Sequence, residues 1–233
     1  MRRLRTVLIV VLVLGGLLVG ADRLALKLVE DRMTEELASA QNAGSAEVHI
    51  NGFPFLTQIA SKELESVDAR LTGVTRETGE GTLRVSEFTL SARNITLLDN
   101  FSRAIAGNAS GTAHVTYEDL TEVAEEGVRV EYGGETDSGE AKVKVSAGVE
   151  LLGQPVERST VSTVSVEDGD TIRLRADSVP GEDVPGLENL IRQRIDYTRR
   201  IDGLPQGVQL EGLESTRTGL DVEFSGTDVD FSG

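Results

Sequence analysis

The chain has 233 residues, 39 acidic against 23 basic, a net charge of −16, and neither cysteine nor tryptophan. That length supports one domain or two small ones around a sizeable core, and an apolar share of 39% marks a globular chain. The charge excludes nucleic acid and electrostatic docking on an anionic membrane, which need clustered Lys and Arg, and the missing cysteines exclude disulfides and a lipid anchor on an N-terminal cysteine.

Arg2, Arg3 and Arg5 precede an uncharged run, Thr6 to Ala21, dominated by Val and Leu. This is the pattern of an export signal, with Val19-Gly20-Ala21 offering cleavage before Asp22. The alternative is a retained membrane anchor, a transmembrane helix. Sixteen helical residues rise about 24 Å, short of a hydrocarbon core of about 30 Å, but the next segment continues as a good helix and favours retention. Either way the basic residues stay inside and the rest, 22–233, crosses to the outer side of the cytoplasmic membrane or the cell envelope.

From Asp22 to Gln41, Ala25, Val29, Met33 and Leu37 recur every four residues, Leu24 and Leu28 widen the stripe, and Glu30, Asp31, Glu35 and Glu36 take the other side. Asn42 to Ser45 ends this helix, and a strand containing Val48 and Ile50 leads to Asn51-Gly52-Phe53-Pro54-Phe55. Pro54 starts a short helical turn with Leu56, Ile59 and Ala60 on one side. Val67, Ala69 and Leu71 alternate as a half-buried strand. Leu83, Val85, Phe88, Leu90 and Ala92 form another, whose phase slips near Glu87 and predicts a β-bulge there. Ile95 to Ile105 reads as a turn into a short helix.

Gly111 to Thr116 is a strand entering a helix capped by Thr116, with Leu120, Val123 and Ala124 inward. From Gly127 to Val179 four β segments, Val128–Tyr132, Ala141–Leu152, Val156–Val166 and Thr171–Ala176, read as an antiparallel meander. A helix starting at Pro185 carries Leu187, Leu190, Ile191 and Ile195, with Arg192, Arg194, Arg199 and Arg200 on or just after it. Two strands, 208–213 and 220–224, close the chain.

Catalytic signals are sparse. His49 and His114 lie on separate strands, and no nucleophile elbow, phosphate loop or His-based metal motif occurs. The acidic turn at Glu167-Asp168-Gly169-Asp170 lacks the spaced ligands of a calcium loop. No cofactor is implied. The elements instead predict an α+β fold, a long curved antiparallel sheet wrapped around an amphipathic helix, with an apolar groove suited to an acyl chain. Phe53, Phe55, Leu56, Ile59, Phe88, Leu90, Phe101, Leu190 and Ile191 are candidate liners, and Arg192 and Arg194 candidates for an anionic head group.

Three stretches in order, Ile50 to Ile59, Gly111 to Leu120, and Leu204-Pro205-x-Gly207 with Gly219-Leu220-x-Val222, resemble the actinobacterial phospholipid-binding family associated with lipomannan elongation. Gly52, Phe53, Pro54 and Phe55 match its signature directly. The resemblance implies a fold similar to the tubular lipid-binding proteins, no catalysis, a phospholipid or glycolipid ligand, and work at the cytoplasmic membrane, with a membrane glycosyltransferase as a candidate partner. The competing readings are a scaffold for a membrane enzyme, its groove filled by its own side chains, and, with least support, an envelope hydrolase.

Overall fold

The computed structural model describes residues 2–78, 81–135, 140–151, 154–177, 192, 196–201 and 203–232. One helix, α1 (Arg2–Ala40), runs unbroken from the basic residues through the uncharged segment and on to the end of the expected helix. It stops where Asn42 turns to φ +49° and the Ala43 N–H reaches back to Ala38 O, a left-handed cap that satisfies carbonyls the helix leaves open. No helix among the described residues is long and apolar enough to cross a membrane, so the expected transmembrane helix is not found among them.

The face that α1 presents to the rest of the protein is rotated from the expected stripe. Leu26 is buried and Ala25, Val29 and Leu37 are half-buried, but Leu24, Leu28 and Met33 face outwards. Two carboxylates fix this rotation. Asp22 and Glu30 turn inwards and accept the backbone N–H groups of Leu56 and Ile50, each at 2.8 Å. Below α1 lies β1 (Ser45–Asn51), whose Ala46, Val48 and Ile50 are buried while Glu47 and His49 are exposed. The turn that follows leads into α2 (Phe55–Ser61).

The first sheet has the order β1-β2-β3-β4-β11-β10, all antiparallel, with β2 (Glu63–Thr78), β3 (Gly81–Leu98), β4 (Arg103–Thr116), β10 (Val208–Ser215) and β11 (Gly219–Ser232). The phase slip near Glu87 is real but is not a bulge. Thr72 stays opposite Glu87 and Val74 opposite Val85, so the register does not shift. Both strands slip together, the ladder skipping Gly73, at φ +63°, and Ser86, and Leu71, Val74, Val85 and Phe88 remain in one apolar cluster. A second matched slip crosses four strands, where the pairing skips Glu65, Asn94, Gly107 and Asp228. Asn94 and Asp228 take left-handed backbone there. Matched slips crease the sheet without breaking its register, so apolar residues on either side of the crease stay inward.

The helix expected between Ile95 and Ile105 is absent. β3 runs to Leu98 and a 3-10 turn, Asp99–Phe101, returns the chain directly as β4. Alternation across Ile95 and Leu97, paired with Ala106 and Ala104, outweighs the helical spacing of Leu97, Leu98 and Phe101.

After β4 comes α3 (Tyr117–Glu122), capped as expected by Thr116, whose Oγ1 accepts the Asp119 N–H at 3.1 Å. The meander then forms a second sheet in the order β5-β6-β7-β8-β9: β5 (Val128–Glu135), β6 (Ala141–Leu151), β7 (Gln154–Glu167), β8 (Thr171–Ala176) and β9 (Tyr197–Arg200). Strand β9 has no counterpart among the expected elements, and it holds Arg199 and Arg200. The helix expected from Pro185 lies outside the described residues, apart from Arg192, which is helical. Val143, Val145, Val164 and Ala176 of the second sheet share a core with Leu220 of β11, and Tyr117, Leu120 and Leu213 pack against it. Leu210 N–H donates to Gly169 O at 2.7 Å and Ser215 Oγ to Lys142 O at 2.8 Å, tying the two sheets along β10. The chain thus adopts the expected α+β class, an antiparallel fold with a long N-terminal helix, its strands shared between two open sheets.

Candidate functional site: an apolar trough across the first sheet

Register alone places three apolar rows across all six strands of the first sheet. One is Ala46, Leu71, Phe88, Ala113, Val222 and Leu213; the next Val48, Ala69, Leu90, Gly111, Phe224 and Leu210; the third Ile50, Val67, Ala92, Ala109, Gly226 and Val208. None of these eighteen residues is charged or polar. At the β1 margin the rows are roofed by α1, through Leu26, Val29, Leu37 and Ala38. At the β10 and β11 margin Leu213 joins the core of the second sheet.

Between those roofs the floor is more open. Phe88, Leu90, Gly111, Ala113, Val222 and Phe224 are half-buried, while Val48, Leu71 and Leu210 at the sides are buried. From β3 to β11 is two strand spacings, about 10 Å, wide enough for an acyl chain to lie along the strands.

The floor is shaped by size. Phe88 and Phe224 stack across β4 with ring centroids 5.3 Å apart and planes 13° from parallel. This needs a strand without side chains beneath the rings. A Cβ on Gly111 would lie 2.0 Å from Thr89 O and 2.5 Å from the Phe224 ring, and the flanking positions are Ala109 and Ala113. At one end the trough is stopped by Phe55, only 2% exposed, in a cluster with Leu26, Ile50, Leu64, Ile95 and Ala106. At the other end stand α3 and the second sheet, where burial raises the pKa of the Tyr117 phenol and its hydroxyl donates to Thr216 O at 2.8 Å.

The opposite face of the sheet is polar. His114 Nδ1 lies 2.5 Å from Asp221 Oδ1 and its Nε2 3.4 Å from Thr218 Oγ1, and Arg70 pairs with Glu87 at 2.7 Å. A cleft of about 540 Å³ on this side is lined by Glu47, His49, Asp68, Arg70, Thr89 and Ser110 among others. Another, about 490 Å³, sits beside Phe53, Gln58, Glu65 and Asn94. Both mix carboxylates with apolar groups, Ala69, Leu90 and Gly111 in the first and Phe53, Leu64 and Ile95 in the second. Among the described residues no group of His, Cys, Asp or Glu is arranged to hold a metal ion.

The liners named from the sequence fall in different places. Phe88 and Leu90 are on the trough floor. Phe55 is core at its end, with Ile59 packed against the same cluster. Phe53 and Leu56 point away from that cluster, 58% and 44% exposed, the Arg23 guanidinium 4.8 Å above the Phe53 ring. Phe101 is exposed on the β3–β4 turn. Leu190, Ile191 and Arg194 lie outside the described residues. The Arg192 guanidinium is engaged by the protein itself, donating to Ala176 O at 3.2 Å with Asp196 at 3.8 Å, and Arg200 pairs with Asp170 at 2.7 Å. Sequence reasoning missed Gly111, Ala113, Val222 and Phe224. Their signal was a strand of small residues, Ala109, Gly111 and Ala113, next to one alternating Leu220, Val222 and Phe224.

A creased antiparallel α+β fold with an uncharged apolar trough is the arrangement these residues build. The LmeA-like phospholipid-binding family matches residues 20–225, and the chain belongs to that family. It is the family that the stretches Ile50 to Ile59, Gly111 to Leu120, and Leu204-Pro205-x-Gly207 with Gly219-Leu220-x-Val222 resemble. Comparison with curated proteins and with solved structures gives no match.

Proposed function

We propose that this protein binds the acyl chains of a phospholipid or related glycolipid in the trough, without catalysis, and serves envelope lipid or lipoglycan handling from the outer side of the cytoplasmic membrane, held there by α1. The observation that carries the reading is the trough floor. Six half-buried apolar residues, two of them stacked phenylalanines, lie between two roofed margins, an arrangement that water fills poorly and an acyl chain fills well. Covering such a floor removes about 25 cal/mol for each Å² of apolar surface taken from water. Membership of a phospholipid-binding family supports the choice of ligand, and the basic residues followed by an uncharged run support export.

The test is native mass spectrometry of the full chain, purified from bacterial membranes, followed by organic extraction. A stoichiometric phospholipid leaving the folded protein is the expected result. A bare mass that stays unchanged after incubation with phospholipid vesicles overturns the reading and favours a scaffold.

A further inference from the structure

We propose that the exposed apolar rim beside α1, Phe53 and Leu56, is a docking surface for a lipid bilayer, seated in the boundary between head groups and acyl chains. This rests on the tether assigned to α1 and not on the trough.

The first observation is the helix itself. Leu12, Val13, Leu14, Leu17, Leu18 and Val19 are each 46–69% exposed, and at 100° per residue they point in every direction around the axis. A helix apolar all round is a helix surrounded by lipid or protein, and the packing of α1 on the body among the described residues runs through its later part, from Leu26 to Ala38.

The second is what happens to the charges that end this segment in sequence. Asp22 should mark the edge of the apolar surface, but its carboxylate is turned inwards, 3% exposed, and accepts the Leu56 N–H at 2.8 Å. Arg23 lays its guanidinium over Phe53. Apolar surface therefore persists past the charge boundary, on the outer face of α1 at Leu24, 68% exposed, and beside the helix at Phe53, 58%, and Leu56, 44%. Asp22 holds α2 in position, so the same hydrogen bond that hides the charge brings the rim beside the helix.

The third is chemical character. An aromatic ring covered by an arginine, with Lys27 exposed one turn further along α1, is the mixture that sits at a membrane interface, the rings and stems in the apolar phase and the cations among phosphates. The net charge of −16 gives no long-range attraction to anionic lipid, so docking here depends on apolar insertion and persists on neutral vesicles.

The chain has no tryptophan, so a single introduced one reports its own surroundings. The full chain is reconstituted into phosphatidylcholine vesicles with brominated acyl chains, as Phe53→Trp, Leu56→Trp, Leu90→Trp and Tyr132→Trp variants. Emission of the first two shifts to the blue and loses most of its intensity, whereas Tyr132→Trp, on the second sheet, is unchanged. Vesicle flotation without any change at Phe53→Trp and Leu56→Trp overturns the docking surface, and failure of the chain to float overturns the tether as well. Quenching at Leu90→Trp alone contradicts docking while supporting the trough; quenching at the rim alone supports docking and counts against the trough.

Discussion

Phe88 and Phe224, 136 positions apart in sequence, stack at 5.3 Å over Gly111, a residue whose hydrogen cannot be replaced without displacing Thr89 O or the Phe224 ring. That contact joins β3 to β11 across β4 and makes the trough floor one surface. Gly111→Ala is expected to cost about 1–3 kcal/mol through overpacking, and to lower lipid uptake by tilting the rings. Urea unfolding reads the first effect and lipid loading the second.

Ala113 is half-buried on the floor, opposite Phe88 on one strand and Val222 on the other, so Ala113→Leu crowds the stacked rings. It should destabilise by about 1–3 kcal/mol through overpacking and lower phospholipid loading. Unchanged loading would place the ligand elsewhere.

Asp22 caps α2 from another helix. Losing a hydrogen bond to a charged group costs about 1.5–3 kcal/mol, so Asp22→Ala should destabilise by that amount and Asp22→Asn by less.

Phe55 is the end stop of the trough. Phe55→Ala should cost about 3–5 kcal/mol, whereas Phe53→Ala, at an exposed ring one proline away, should leave the unfolding midpoint nearly unchanged.

Two aspartates give the acid limb of stability. The hydrogen bond and charge of Arg103 hold the Asp230 carboxyl below its usual range. Burial pushes the Asp177 carboxyl up, but hydrogen bonds from Thr163 and Lys142 outweigh it and hold it low. A depressed folded pKa contributes stability that is fully present above the unfolded carboxylate value, about 4, and is lost as pH falls through the folded values. Urea midpoints should thus be level at neutral pH and drop below about pH 4, less steeply in Asp177→Asn.

Local periodicity made the strands legible. Ala46, Val48 and Ile50, or Val143 and Val145, alternate so regularly that burial follows directly. The slip at Glu87 was visible too, but its meaning was not, because a bulge and a matched slip look alike in one strand and differ only in the partner, where Gly73 slips in step. The same limit hid the trough. Phe224 pairs with Gly111 through a register that no single stretch encodes, and Asp22 and Glu30 look like solvent charges until β1 and α2 present N–H groups to them. Phe53 and Phe55 show the converse: equal in composition, they separate because Pro54 sends one side chain into the core and the other outwards.

The central claim is tested most directly by a phospholipid carrying a photoreactive group on its acyl chain, cross-linked to the full chain and mapped by peptide mass spectrometry. Adducts are expected on the floor, at Phe88, Leu90, Ala113, Val222 and Phe224. Adducts confined to the polar face, around Glu47, Asp68 and Ser110, would contradict it.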